Sequence, residues 1–169
     1  GTASAEELTA LHQEVLASVG DARGKIQQLA EAMPEKKYSW RPGKGVRSVS
    51  EVAMHVTSAN YFFASLIGTP IPEGIDPMKL EYTVTEKAKV IEMMKASFDH
   101  VESAIKALPA SQFDEKSKTP IGEMSKRALM LLVMRHADDH LGQSIAYARM
   151  KGVTPPWSAK EEAAAKGGR

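Results

Sequence analysis

The sequence predicts an all-α protein, a bundle of four helices. Four long stretches carry apolar residues separated by alternating threes and fours, the spacing that turns one helix face into a core. Capping signals stand ahead of three of them, and Pro or Gly follows three. The composition agrees: aromatics are 6%, Met numbers 9, and long aliphatic side chains outweigh β-branched runs. With 169 residues the chain fits one domain with its own core. The domain is expected to span residues 1–158, with 159–169 as a frayed C-terminal tail.

The first helix is expected from about Ser4 to Met33, with Leu8, Leu11, Val15, Val19, Ala22, Ile26, Leu29 and Met33 as its seam. Ser4 with Glu7 forms a capping box, and Pro34 stops the helix. Gly20 and Gly24 each cost about 1 kcal/mol of helix propensity relative to Ala, and they are expected to let a neighbour approach closely. A loop follows, Glu35–Arg47, with Lys36, Lys37, Arg41, Lys44 and Arg47 against one Glu. Basic residues beside Tyr38 and Trp40 have the makings of a polyanion contact. Nothing elsewhere extends a basic stripe, so the loop reads as a solvated linker whose Trp40 plugs the bundle end.

Ser48 and Glu51 cap the second helix, Val49–Ile67, and Gly68 ends it. Its stripe is Val49, Val52, Val56, Ala59, Phe63 and Leu66. His55 lies one position off the stripe's centre, three after Val52 and four before Ala59, and so points inward at the flank. The connection Gly68–Tyr82 holds Pro70, Pro72 and Pro77 and is not expected to be regular helix. Its length lets the second and third helices run parallel.

Thr83 with Glu86 is the next expected capping box. The third helix reads Val84–Leu108, with Ile91, Met94, Phe98, Val101, Ile105 and Leu108 on one face and Pro109 at its end. Residues 110–120 read as a polar loop. The fourth helix is expected over Ile121–Lys151, with Leu129, Leu132, Val133, His136, His140, Ser144 and Tyr147 facing inward. Pro155-Pro156-Trp157 breaks it, and Ser158 with Glu161 can cap one last weak turn.

Charge and composition exclude several functions. Formal net charge is +1, from 22 Lys+Arg and 21 Asp+Glu, too balanced for nucleic acid or an anionic membrane as the main partner. No apolar run approaches the ~20 residues of a membrane span. Without cysteine there are no disulfides, thiolate ligands or Cys nucleophile. The leading Gly1 reads as a processed end. The default compartment is the cytoplasm, or export if a leader preceded Gly1.

The chemistry concentrates in Arg135–Gln143. His136 and His140 are one helical turn apart on one face and can meet a single ion together. His55 on a second helix makes a third imidazole ligand for a divalent metal. Three protein ligands leave a position for water, the pattern of a catalytic site. Asp139, three after His136, and Gln143, three after His140, are candidates to hydrogen-bond the ligand rings. Asp139 could also assist proton transfer. Asp138 reads as solvated surface, and His12 and His100 receive no role. The HExxH arrangement is absent because Ala137 holds the Glu position, and no GxGxxG, P-loop or GxSxG is present. Met54, Met94, Met130 and Met134 read as core filling.

The order of pieces resembles the DinB-like (DinB/YfiT) superfamily. The resemblance is carried by Trp40-Arg41-Pro42, by Arg47-Ser48-Val49 with Glu51, Val52 and His55, by His136, His140 and Gln143, and by Val153-Thr154-Pro155-Pro156-Trp157. It covers nearly the whole chain. It implies a four-helix bundle in up-down-down-up order and one divalent metal ion, zinc or nickel, on His55, His136 and His140. It also implies a homodimer as a common assembly. Relatives include metal-dependent hydrolases and transferases that use a low-molecular-weight thiol, though no residue here identifies a thiol cosubstrate. The leading expectation is therefore a metal-dependent hydrolase or transferase acting on a small molecule, with a pocket reaching the ion. The alternative is a non-catalytic metal-binding or stress-associated bundle, closed to solvent, with Asp139 as a fourth ligand. A nucleic-acid accessory role is disfavoured by the net charge.

Overall fold

The structure is a computed structural model describing residues 7–167. Its bundle helices are α1 (Ala10–Ala32), α2 (Val49–Leu66), α4 (Lys87–Ala107) and α5 (Lys126–Met150). A single-turn helix, α3 (Leu80–Thr83), lies in the crossover, and α6 (Pro156–Gly167) follows the bundle. Between α4 and α5 the strands β1 (Lys116–Thr119) and β2 (Gly122–Ser125) pair antiparallel. Among the described residues no helix is long and apolar enough to cross a membrane.

Side-chain contacts fix the helix directions. His12, in the first turn of α1, bonds through Nε2 to the Leu108 carbonyl at the far end of α4, 2.8 Å away. Lys87, which starts α4, donates to the Glu31 and Met33 carbonyls at the end of α1. These two helices are antiparallel. Lys37, beyond α1, reaches the Lys151 carbonyl beyond α5, so α1 and α5 run the same way. Tyr147, near the end of α5, bonds to the Arg47 carbonyl just before α2, and α2 and α5 are antiparallel. The order is up-down-down-up, with α2 and α4 parallel and joined by the long crossover.

Phe98, Met54, Met94, Ile105, Leu129 and Met130 are fully buried and form the centre of the core. Three of the four singled-out methionines thus fill core space, while Met134 is half-buried. Asn60 donates to Ser97 across the α2–α4 contact at 3.1 Å, which satisfies a polar pair inside it.

Several expected boundaries move. Ser4 lies outside the described residues. The helix starts later, at Ala10, because Thr9 caps it: Thr9 accepts from the His12 amide, and His12 Nδ1 accepts from the Thr9 amide. A Cβ at Gly20 or Gly24 would meet nothing within 4 Å, so neither glycine serves a close approach. The Ser48–Glu51 box forms as expected, and Gly68 ends α2 at φ 116°, a conformation that suits glycine. The Thr83–Glu86 box does not form. Thr83 closes α3 with its hydroxyl on the Lys79 carbonyl, and Glu86 itself caps α4 by accepting from the Ala88 amide.

The supposed polar loop ends in a hairpin. Its turn is Thr119-Pro120-Ile121-Gly122, with Pro second and Gly fourth, Gly122 at φ 113° and Thr119 opposite Gly122. Ile121 consequently belongs to the turn, and α5 begins at Lys126 under the Ser125 cap. The last segment is a 12-residue exposed helix with Pro156 as its first residue, rather than one turn capped at Ser158.

Candidate metal centre

His55 on α2 and His136 and His140 on α5 converge between two antiparallel helices. Their donor atoms all lie within 4.8 Å of one another, an arrangement that could hold a metal ion. Nε2 of His136 stands 3.0 Å from Nε2 of His55. The ring centroids are 4.4–5.0 Å apart. The two α5 histidines do not replace aliphatics at the centre of the core stripe. That stripe runs through Leu129, Val133, Ala137, Leu141 and Ala148, and the histidines occupy its half-buried flank toward α2.

Hydrogen-bond partners set the ring tautomers. Nδ1 of His55 lies 2.8 Å from Glu81 Oε1, so the ring donates there and Nε2 keeps its lone pair. Tyr147 donates to the Arg47 carbonyl, and Gln143 Nε2 donates to the Tyr147 oxygen. Gln143 Oε1 is thereby turned to accept from His140 Nδ1 at 2.8 Å, leaving His140 Nε2 unprotonated. His55 and His140 are thus each oriented through Nδ1 and present Nε2 as a ligand atom, the arrangement that outer hydrogen bonds impose on metal-binding histidines.

Electrostatics disfavour the charged forms of His136 and His55. Burial, with His140 and His55 beside it, lowers the pKa of His136 to about 3. Burial also lowers that of His55, against the opposing Glu81 bond. Burial alone would raise Glu81, but hydrogen bonds from Arg47 and His55 hold its carboxyl below the usual range. An unfolded His136 takes up a proton near 6.5 that the folded ring refuses. The metal-free fold therefore loses stability as pH falls from about 6.5 toward 3.

The donor set suits a borderline divalent cation. Two tetrahedral ligands at ~2.0–2.1 Å from an ion stand roughly 3.3 Å apart, a few tenths more than the observed 3.0 Å between Nε2 atoms. Neutral imidazoles need lose no proton to bind.

Of the expected partners, Gln143 touches His140. Asp139 is exposed, as is Asp138, and among the described residues neither bonds an imidazole. Glu81 was missed because it lies in the crossover read as irregular, and its contact with His55 joins residues 26 apart in sequence. No local periodicity marks such a residue. Phe63 was legible only as core, yet its ring packs edge-on to His136 at 5.5 Å. His12 is a buried capping residue, and His100 lies beside the Tyr61 ring, away from the cluster.

A cavity of about 590 Å³ opens onto His55 and His136. Arg47, Glu81 and Tyr82 line one side of it, and Phe62, Phe63 and Met78 the apolar walls. At the same end of the bundle Arg41 grips both oxygens of Glu51.

The family model of the DinB family matches residues 6–166. Among curated proteins the chain is similar to the uncharacterized protein YjoA of Bacillus subtilis (strain 168), 25% identical over 136 residues, covering 78% of this chain and 85% of the relative. The crystal structure of that DinB-like protein superposes with a TM-score of 0.67 at 24% identity, covering 83% of this chain and 93% of that one. A DinB-like protein from Bacillus cereus ATCC 10987 gives 0.72 at 17% identity, covering 85% and 95%. YfiT from Bacillus subtilis, described as a probable metal-dependent hydrolase with an unusual four-helix bundle topology, gives 0.65 at 16% identity, covering 90% and 94%.

Proposed function

The chain belongs to the DinB family, and from that premise we propose that it is a metal-dependent hydrolase or transferase whose one divalent ion, zinc or nickel, sits on His55, His136 and His140. The observation that carries this reading is the convergence of three imidazoles, two of which, His55 and His136, line an open cavity. The description of YfiT as a probable metal-dependent hydrolase supports the same reaction class. A divalent ion held there would supply Lewis-acid polarisation of an oxygen of the substrate or of water.

The chain's own residues do the rest. Glu81 holds His55 through Nδ1 and keeps that proton on the ring. Tyr147 and Gln143 aim His140. Phe63 packs against His136 and keeps bulk water from its face. The open cavity favours an enzyme over a brace closed by a fourth protein ligand, because the exposed Asp139 takes no part in the cluster.

Glu81→Gln keeps the shape of the side chain and removes its charge. The variant should bind zinc about 10–100-fold more weakly, as loss of an outer partner does elsewhere, in a titration against a chromophoric chelator. Unchanged affinity would remove Glu81 from the site. The function itself is tested by assaying chromogenic carboxylic and phosphate esters before and after chelation. Turnover should vanish with the ion, return with zinc or nickel, and be absent in His140→Ala. Turnover that survives both treatments places the chemistry elsewhere.

A further inference from the structure

Opposite the side that Arg47, Glu81 and Tyr82 line, the walls of the cavity above the histidines are apolar. Phe62, Phe63, Ile71, Pro77 and Met78 supply them. The volume, about 590 Å³, falls within the ~300–1,000 Å³ typical of small-molecule sites. Phe62 and Phe63 also line a second recess of about 240 Å³ beneath the hairpin, with Leu66, Ile121, Met124 and Leu132 as further lining. Two apolar hollows therefore adjoin across a pair of phenyl rings, and the inner one ends at the imidazoles.

Charge at the mouth points the same way. Arg47 donates through Nε and a terminal nitrogen to Glu81, and Arg41 donates to both oxygens of Glu51. The Arg41 and Arg47 guanidiniums are thus each matched to a carboxylate. An anionic ligand would have to displace one of them, whereas a neutral ligand disturbs neither. Met78 and Tyr82 stand 83% and 78% exposed on the rim contributed by the crossover. They extend the apolar surface outward without filling the cavity.

We infer that this cleft receives an uncharged small molecule with an aliphatic or aromatic body, laid against Phe62, Phe63 and Met78 with its polar end toward His55 and His136. The inference rests on the reading of the histidines as the reaction centre and adds the substrate class to it. Concavity argues for a small molecule over a second copy of the chain, since the walls enclose a hollow that a flat face would leave empty.

Binding of the neutral dye N-phenyl-1-naphthylamine tests this without any turnover. The dye should brighten on the full-length protein, metal-free or zinc-loaded, at one site per chain. Butanol, hexanol and octanol should displace it with affinity rising about fourfold per methylene, and octanoate should compete at least fivefold less well than octanol. Phe62→Asp and Met78→Glu should each weaken dye binding at least fivefold. Met78→Glu alters an exposed side chain, so its effect cannot be assigned to unfolding. Metal content is measured in the same samples. Chain-length dependence without bound metal supports the cleft and overturns the reading of the histidines. Bound metal without chain-length dependence does the reverse. Octanoate equal to octanol overturns the assignment of a neutral ligand. Absence of dye uptake overturns the proposal, and a dimer seen by sedimentation in that case gives the face to a second copy.

Discussion

His136→Ala is expected to abolish stable binding of a divalent ion while leaving the helical content unchanged. His136 touches both partners: its Nε2 lies 3.0 Å from that of His55, and its ring centroid 4.4 Å from that of His140. Removing it leaves two ligands, one on each of two helices. The affinity should fall by more than the ~10–100-fold that loss of an outer hydrogen-bond partner causes. A thermal shift gives an independent readout. A ligand at a hundred times its Kd stabilises the folded state by about 2.7 kcal/mol. Wild type should therefore melt higher on addition of zinc, and His136→Ala should not. The metal-free melting temperature at neutral pH should change little, because the ring lies on the half-buried flank outside the main seam. A zinc-dependent shift retained in the variant would move the site off α5.

The second large effect belongs to the core. Phe98→Ala should destabilise the fold by about 3–5 kcal/mol, a large share of the ~5–15 kcal/mol that holds a domain together. Phe98 is 0% exposed and sits on the face of α4 that also carries Met94, Val101 and Ile105. The Arg23 guanidinium lies 5.9 Å from its ring centroid, and the same Arg pairs with Asp99 and Glu102. Truncation leaves a cavity between α1 and α4 that such a charge anchor resists closing. Urea unfolding reads the loss as a lowered midpoint at unchanged slope. A change below about 1 kcal/mol would mean that the helices close over the vacancy.

What was legible in the sequence was whatever repeats along one helix. The seams of α1 and α4, the Ser48–Glu51 box and the i, i+4 pair His136–His140 are local patterns with a fixed period. Even there two caps were misplaced, since Glu86 alone caps α4 and Thr9 caps α1. Thr9 with His12 makes a capping box, but histidine is outside the usual Glu or Gln pattern, so the helix was started too early. The Pro-rich crossover hid α3, because four residues are too few to show periodicity. That single turn nevertheless delivers Glu81 to His55. The hairpin hid behind polar residues that read equally well as loop, and its one strong mark is the turn Thr119-Pro120-Ile121-Gly122. Asp139 failed as a partner for a geometric reason. Being three residues from His136 places two side chains near each other on a helix, but it does not decide which of them the neighbouring helix covers. Here α2 covers the histidine side and leaves Asp139 exposed.

His55 and His140 are held in place by different means. His140 is oriented from within its own helix, by Gln143 and Tyr147 at successive steps of three and four. His55 is oriented from outside, by a carboxylate that Arg47 also binds. Arg47 therefore ties the start of α2 to both the crossover and α5. Its side chain holds Glu81, and its carbonyl accepts from Tyr147.

Zinc-edge X-ray absorption of the zinc-loaded protein reads directly whether three imidazoles hold one divalent ion. The spectrum should give one ion per chain with three imidazole nitrogens at about 2.0–2.1 Å and the multiple-scattering signature of histidine rings. A first shell of oxygens alone, or the same spectrum from His55→Ala, His136→Ala and wild type, would contradict that coordination.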